Sequence, residues 1–285
     1  MSVTVRVDLE SAVVSYRPAA GEERSSLARK VSSEVLLRAA PWRTFRWYFG
    51  QRHYSGTYWS STQGDHVIYE SRLELANLLL ADFDSRVRQI VAQPFMFRAE
   101  VQAQVRKHIV DYLWGTDDGP VVVDVVRAER MSHPGIALLC AWTRLIVESL
   151  GWSYLVVNEP DPVQFGNVRF LAGYRREWLI NQEILVDIRS QRARFAGMSI
   201  AEAETSLAGC PKLLVRPALL HLVWSNEYSV ALDEPLRPST VLEVRNEACR
   251  SESGNGNSLS LRRRGHRNCQ NSLRSRGSGG GGTPC

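Results

Sequence analysis

The sequence predicts an α/β protein, with a small mixed sheet flanked by helices followed by a smaller, largely helical unit. Three observations carry this reading. Short runs rich in β-branched residues recur at Val87–Phe97, Val105–Leu113, Val121–Val126 and Tyr154–Val157. Two stretches of helical periodicity, Ser71–Phe83 and His133–Leu150, interleave with them. After Gly173 the pattern changes to three helical segments and a closing pair of β-prone pieces.

Taken in order, residues 1–35 are polar and weakly patterned, apart from the alternation Val3-Val5-Val7, which fits a peripheral strand. Pro41 to Trp59 is dense in aromatics and arginine and is punctuated by Gly50 and Gly56, so it reads as a strand or hairpin. Its rings fit packing on one sheet face; an Arg/aromatic surface touching DNA is the rival reading. Leu73, Ala76, Leu80 and Phe83 make an apolar stripe on a helix that Ser71 can cap. Val87 begins a strand that runs into Gln93-Pro94 and a second extended piece. Val105–Leu113 and Val121–Val126 read as two strands joined by the polar turn Thr116–Pro120. The helix from His133 has Pro134 in its first turn and Gly151 just past its end.

In the second unit, Trp178–Ala193 reads as one amphipathic helix, and Ser199 with Glu202 forms a capping box for a short helix ending at Gly209. Pro217 is expected to start a third helix through Trp224. β-prone pieces follow near Tyr228–Leu232 and Thr240–Val244. Three helices and a hairpin are similar to a winged helix. The expected organisation is therefore an extension over 1–39, an α/β domain over 40–172, a winged-helix-like domain over 173–245, and a Ser/Gly/Arg tail over 246–285 that cannot bury a core and is expected to be disordered.

Bulk properties narrow the function classes. Of the 285 residues 44% are hydrophobic, enough for a real core. No apolar run approaches the roughly 20 residues that span a bilayer. The N-terminus lacks the charge-then-apolar order of a secretory leader, so no membrane partner and a cytoplasmic location are expected. Five scattered cysteines without a CxxC pair argue against a zinc site or a disulfide framework. The net charge of +5 resides in the tail, where seven arginines face two glutamates from Asn246 onward. Residues 1–245 hold 28 basic and 28 acidic side chains and sum to zero. DNA binding by the folded part thus requires a local patch rather than a bulk field.

The chemistry-bearing stretch is Asp111 to Val126, DYLWGTDDGPVVVDVV. Asp111 and Asp124 lie thirteen residues apart in apolar runs joined by an Asp-Gly turn, an arrangement that can converge at one sheet edge. Carboxylates are costly in apolar strands unless something pairs with them. Converging hard oxygens suit Mg²⁺ or Mn²⁺. By contrast, Asp117-Asp118-Gly119 is turn chemistry, Glu70 fits a solvated helix charge, and His66 and His108 fit surface or packing roles.

Four motifs in series resemble those of the TnsA-like endonuclease subunits of heteromeric transposases. They are YESRLELANLLLADFD (Tyr69–Asp84), IVAQPF (Ile90–Phe95), HIVDYL (His108–Leu113) and VVVDVV (Val121–Val126). NVRFLAGYRR (Asn167–Arg176) resembles the actinobacterial branch, and the resemblance covers about residues 40–245. It implies a restriction-endonuclease-like PD-(D/E)xK domain followed by a winged-helix-like domain. It further implies Mg²⁺-dependent (or Mn²⁺-dependent) cleavage of double-stranded DNA at the 5′ ends of a transposon. The implied partners are a DDE-type transposase subunit and an AAA+ ATPase regulator. Carried over by position, the helix glutamate is Glu74, the metal aspartate Asp111 and the second acid Asp124. The family lysine, sometimes arginine, falls on Val126.

That departure leaves rival expectations. In the full site Asp111, Asp124 and the carbonyl of Val125 hold the ion, Glu74 orients water or a second metal, and the lysine stabilises transition-state charge. Valine has neither donor nor charge, which favours an inactive DNA-binding or structural subunit. A stand-alone restriction-like nuclease is the other alternative, and the neutral core argues against it.

Overall fold

The computed structural model describes residues 5–43, 54–207 and 209–244. Val3, part of the Arg/aromatic stretch, and the tail from 246 lie outside them. The order is β1 (Val13–Pro18), β2 (Arg24–Leu27), α1 (Ser33–Leu36), β3 (Ala39–Ala40), β4 (Gly56–Ser60), β5 (Asp65–Tyr69), α2 (Arg72–Phe83), β6 (Val87–Ala92), β7 (Phe95–Val101), β8 (Gln104–Ile109), β9 (Tyr112–Thr116), β10 (Gly119–Val125), α3 (Pro134–Ser149) and β11 (Ser153–Val157). Then come α4 (Pro162–Leu171), α5 (Gln182–Ser190), α6 (Arg192–Phe195), α7 (Ile200–Ser206), α8 (Lys212–Trp224), β12 (Tyr228–Ser229) and β13 (Glu243–Val244).

The result is a mixed α/β fold with mainly antiparallel sheets flanked by helices. One sheet runs β2-β1-β7-β8, with β3 also paired to β1; a second runs β11-β10-β9-β6. Among the described residues only β10 and β11 pair in parallel, and α3 makes the crossover that such a pair requires. Alternation along β10 then divides the core. Val122 packs toward the first sheet and α3, with Phe95, Phe97, Leu113, Trp142 and Ile146. Val121, Val123 and Val125 face the other way, toward α2 and the C-terminal helices.

Several elements differ from the sequence reading. Residues 13–40 hold three strands and a helix, because this segment completes the first sheet through backbone pairing that its polar composition conceals. Val105–Leu113 is not one strand. The chain bends at Val110–Asp111 and passes from β8 in the first sheet to β9 in the second. The helix α4 was not foreseen, although Asp161 caps it by accepting from Val163 and Gln164 N–H, each at 2.9 Å, with Pro162 in the first turn. Trp178–Ala193 is broken as well. A 3₁₀ turn at Glu177–Leu179 ends in extended Ile180, and Asn181 caps a fresh helix by accepting Ile184 N–H at 3.0 Å. Pro217 lies inside α8, which starts five residues earlier at Lys212.

Other expectations agree with the structure. Ser71 caps α2, His133 caps α3, the Ser199–Glu202 box is complete, and the final β-prone pieces pair as β12 and β13. One apolar core runs from α2, β6, β9 and β10 through α4, α5, α7 and α8. Trp224 Nε1 donates to Ser61 Oγ at 2.9 Å and Asn226 Nδ2 to the Phe83 carbonyl at 2.9 Å, joining the last helix to the early part of the chain.

Candidate active site

Asp111 occupies the bend between the two sheets. The register that pairs Val123 with Tyr112 sets Asp111 opposite Asp124. The Asp111 N–H points to Asp124 Oδ1 at 3.4 Å, and Asp111 Oδ2 accepts the Val125 N–H at 2.7 Å. The two aspartates predicted to converge are therefore neighbours. Their carboxyl groups have different surroundings.

Asp124 is 1% exposed and shares the face of Val122. Its oxygens meet His108 Nε2 at 2.9 and 2.8 Å, and Oδ2 also accepts from the Tyr154 hydroxyl. His108 reaches it from β8 and packs edge-on against Trp142 of α3, with ring centroids 6.1 Å apart. Burial first, and then the Asp124 charge, push the Tyr154 hydroxyl far above the ordinary phenol range, so it stays a donor.

Glu74 lies in the first turn of α2, and its charge acts on Asp111. Its Oε2 accepts the Glu70 N–H at 2.8 Å and its Oε1 the Ser71 hydroxyl at 2.9 Å, while Ser71 Oγ accepts the Glu74 N–H at 3.1 Å. This reciprocal cap fixes the carboxylate at the helix start. Burial is the main cause that raises its carboxyl above the usual range.

Asp111 is the electrostatic centre of the group. Burial lifts its carboxyl well above the ordinary value, and the charges of Asp124, Glu74 and Glu70 lift it further. One backbone N–H opposes these effects. Glu70 precedes the helix and is half-buried; it accepts from Gln93 Nε2 and lies 3.4 Å from Arg43 Nη1.

The position of the missing lysine is occupied by structure. Val126 is half-buried, and its N–H donates to the Val157 carbonyl at 2.8 Å, extending the β10–β11 ladder. Lys107 is exposed on β8, and Arg127 is exposed beside Glu129. Among the described residues no arginine or lysine pairs with Asp111, Asp124 or Glu74, and no three His, Cys, Asp or Glu side chains gather as ligands of one ion.

Four neighbours were missed or assigned blander roles: His108, Tyr154, Glu70 and Gln93. His108 had a visible signal, since it stands three residues before Asp111 in the HIVDYL stretch. Glu70 stands four residues before Glu74 and meets it locally, whereas Tyr154 and Gln93 meet the acids only through strand order.

A separate patch of aromatics and arginines lies on the surface. Trp178, 61% exposed, meets Trp59 edge-on at 4.6 Å, and the guanidinium groups of Arg175 and Arg176 lie 5.9 and 5.5 Å from the Trp59 ring. Compared with models of known protein families the chain matches none, and no curated protein matches it.

Proposed function

We propose that this chain is the endonuclease subunit of a heteromeric transposase, a Mg²⁺- or Mn²⁺-dependent phosphodiester hydrolase acting on double-stranded DNA at transposon ends. Its partners in this reading are a DDE-type transposase subunit and an AAA+ ATPase. The observation that carries it is Asp111, a buried carboxylate set opposite Asp124 and repelled by three acids. A nearby positive charge would relieve both the burial and the repulsion acting on this carboxylate. The donor set is all oxygen, which fits a hard divalent ion.

Asp111 and Asp124 would hold the ion, and Glu74, fixed by its cap, would orient water. When bound, the ion supplies Lewis acidity toward a phosphate oxygen and lowers the pKa of a water. The Trp59–Trp178 patch, with Arg175 and Arg176, offers stacking surface and charge for a DNA backbone, the local patch that a neutral core requires. In this reading the β6–β9–β10–β11 sheet with α2 and α3 is the PD-(D/E)xK-like core. α5, α7, α8 and the β12–β13 ladder form the winged-helix-like part.

A second reading, a non-cleaving structural or DNA-binding subunit, is favoured by two observations. Val126 supplies no charge, and Asp124 is engaged by His108 and Tyr154. Mg²⁺-dependent nicking of duplex DNA, measured with the partner transposase and with Asp111→Asn as control, separates the two. Nicking by the parent that the variant loses supports the endonuclease. A parent that binds Mg²⁺ and DNA without nicking leaves the structural subunit.

A further inference from the structure

Gln93 is built into the acid cluster in a way that packing alone does not explain. It lies between β6 and β7, 5% exposed, with φ at 46°, in the left-handed region where side chains other than glycine are strained. Both of its main-chain groups are used. Its N–H donates to the Asp111 carbonyl at 2.8 Å, and its carbonyl accepts the Trp42 N–H at 2.8 Å. Its side-chain Nε2 donates to Glu70, whose charge reaches Asp111. The amide orientation follows from this contact, because the opposite orientation would set the amide oxygen against a carboxylate. The Oε1 is left buried without a hydrogen-bond partner. An unpaired buried amide oxygen is costly, and native proteins rarely keep one without a use.

Resting on the metal-dependent reading above, we propose that Gln93 Oε1 is a neutral oxygen ligand of the divalent ion held by Asp111, with Glu70 positioning the amide. A neutral ligand adds coordination without adding to the repulsion that already lifts Asp111. The strained backbone is what delivers it, since the same residue anchors Asp111 through its N–H.

The test is Mn²⁺ binding to the full chain without DNA, followed by calorimetry and by the electron paramagnetic resonance of free Mn²⁺. Gln93→Gly deletes the amide at a backbone position that glycine favours. It is expected to weaken Mn²⁺ about tenfold, the scale of losing one supporting group at a metal site, while the metal-free melting temperature holds or rises. Gln93→Glu keeps an oxygen in place and is expected to bind Mn²⁺ at least as well as the parent. Unchanged Mn²⁺ affinity in a folded Gln93→Gly overturns the ligand role alone. If Gln93→Gly does not fold, weakened binding by Gln93→Glu overturns it instead. A parent that binds no Mn²⁺ overturns the metal-dependent reading and this one with it.

Discussion

Two buried aspartates, Asp82 and Asp111, receive opposite treatment from the same fold. Asp82, 6% exposed near the end of α2, is surrounded by donors from the β4–β5 hairpin. Tyr58 OH, Ser60 Oγ, Ser61 N–H and Thr62 N–H reach its oxygens at 2.7, 2.6, 3.0 and 2.8 Å. Among the described residues the Asp111 carboxylate accepts one hydrogen bond, from the Val125 N–H at 2.7 Å, and the charges of three acids act on it. The first carboxylate is fully satisfied and fastens a hairpin to a helix. The second has fewer donors and more like charges around it. Burial alone does not mark a site; the sign and number of the neighbours do.

The largest expected effect comes from placing a positive charge beside the Asp111–Asp124 pair. Residues 124 and 126 share a face by alternation, so Val126→Lys places a cation on the Asp124 side. It is expected to raise Mg²⁺-dependent nicking by ~10²–10³, the usual value of one well-placed charge-stabilising group. Thermal melts accompany the assay, because Val126 is half-buried in the ladder. A variant that melts like the parent, binds Mg²⁺ and gains no nicking sinks the endonuclease reading.

Asp82→Ala breaks the other side of the comparison. Its donors lose a shared charged acceptor, and stability is expected to fall by about 3 kcal/mol. Mg²⁺ binding, expressed per folded molecule, is expected not to change. A melting temperature within a degree or so of the parent would show that the hairpin does not depend on this contact.

Asp111→Asn should act in the opposite direction. The amide oxygen can still accept from Val125, while the repulsion disappears, so the metal-free protein is expected to gain about 1 kcal/mol and ~2–4 °C. Any Mg²⁺-induced stabilisation should vanish with it. A destabilised variant would mean that Asp111 is structural, like Asp82.

The smallest effect is a pH dependence. The folded-state carboxyl of Asp111 is raised, so the folded protein holds its proton more tightly than the unfolded chain. The stability this contributes is present below the ordinary aspartate range and is lost as pH rises through the elevated folded value. The advantage of Asp111→Asn over the parent should accordingly be greatest at neutral pH and close on acidification. A gap that widens in acid would contradict the raised carboxyl.

Local signals made part of this legible. Ser71 before an apolar stripe, Pro134 and Gly151 around α3, and Ser199 with Glu202 each fix a helix end through chemistry that neighbours cannot override. The aspartates stood out because carboxylates are conspicuous in runs such as Val121–Val123. The bend at Val110–Asp111 carries no glycine or proline, so an unbroken apolar pattern concealed the switch of sheets. Gln93 was concealed for a similar reason, since a positive φ in a residue other than glycine leaves no trace in composition. The face that Asp124 presents to His108 and Tyr154 depends on which strands pair, which no single segment encodes.

The continuous core from α2 to α8 bears on how the protein can be divided. A cut between residues 172 and 173 would leave Val168, Leu171 and Ala172 on one fragment and Ile184, Leu185 and Leu219 on the other, each presenting a greasy face to water. Neither piece is suited to separate expression, and a recombination event that swapped only the part beyond residue 172 would have to bring a matching surface with it.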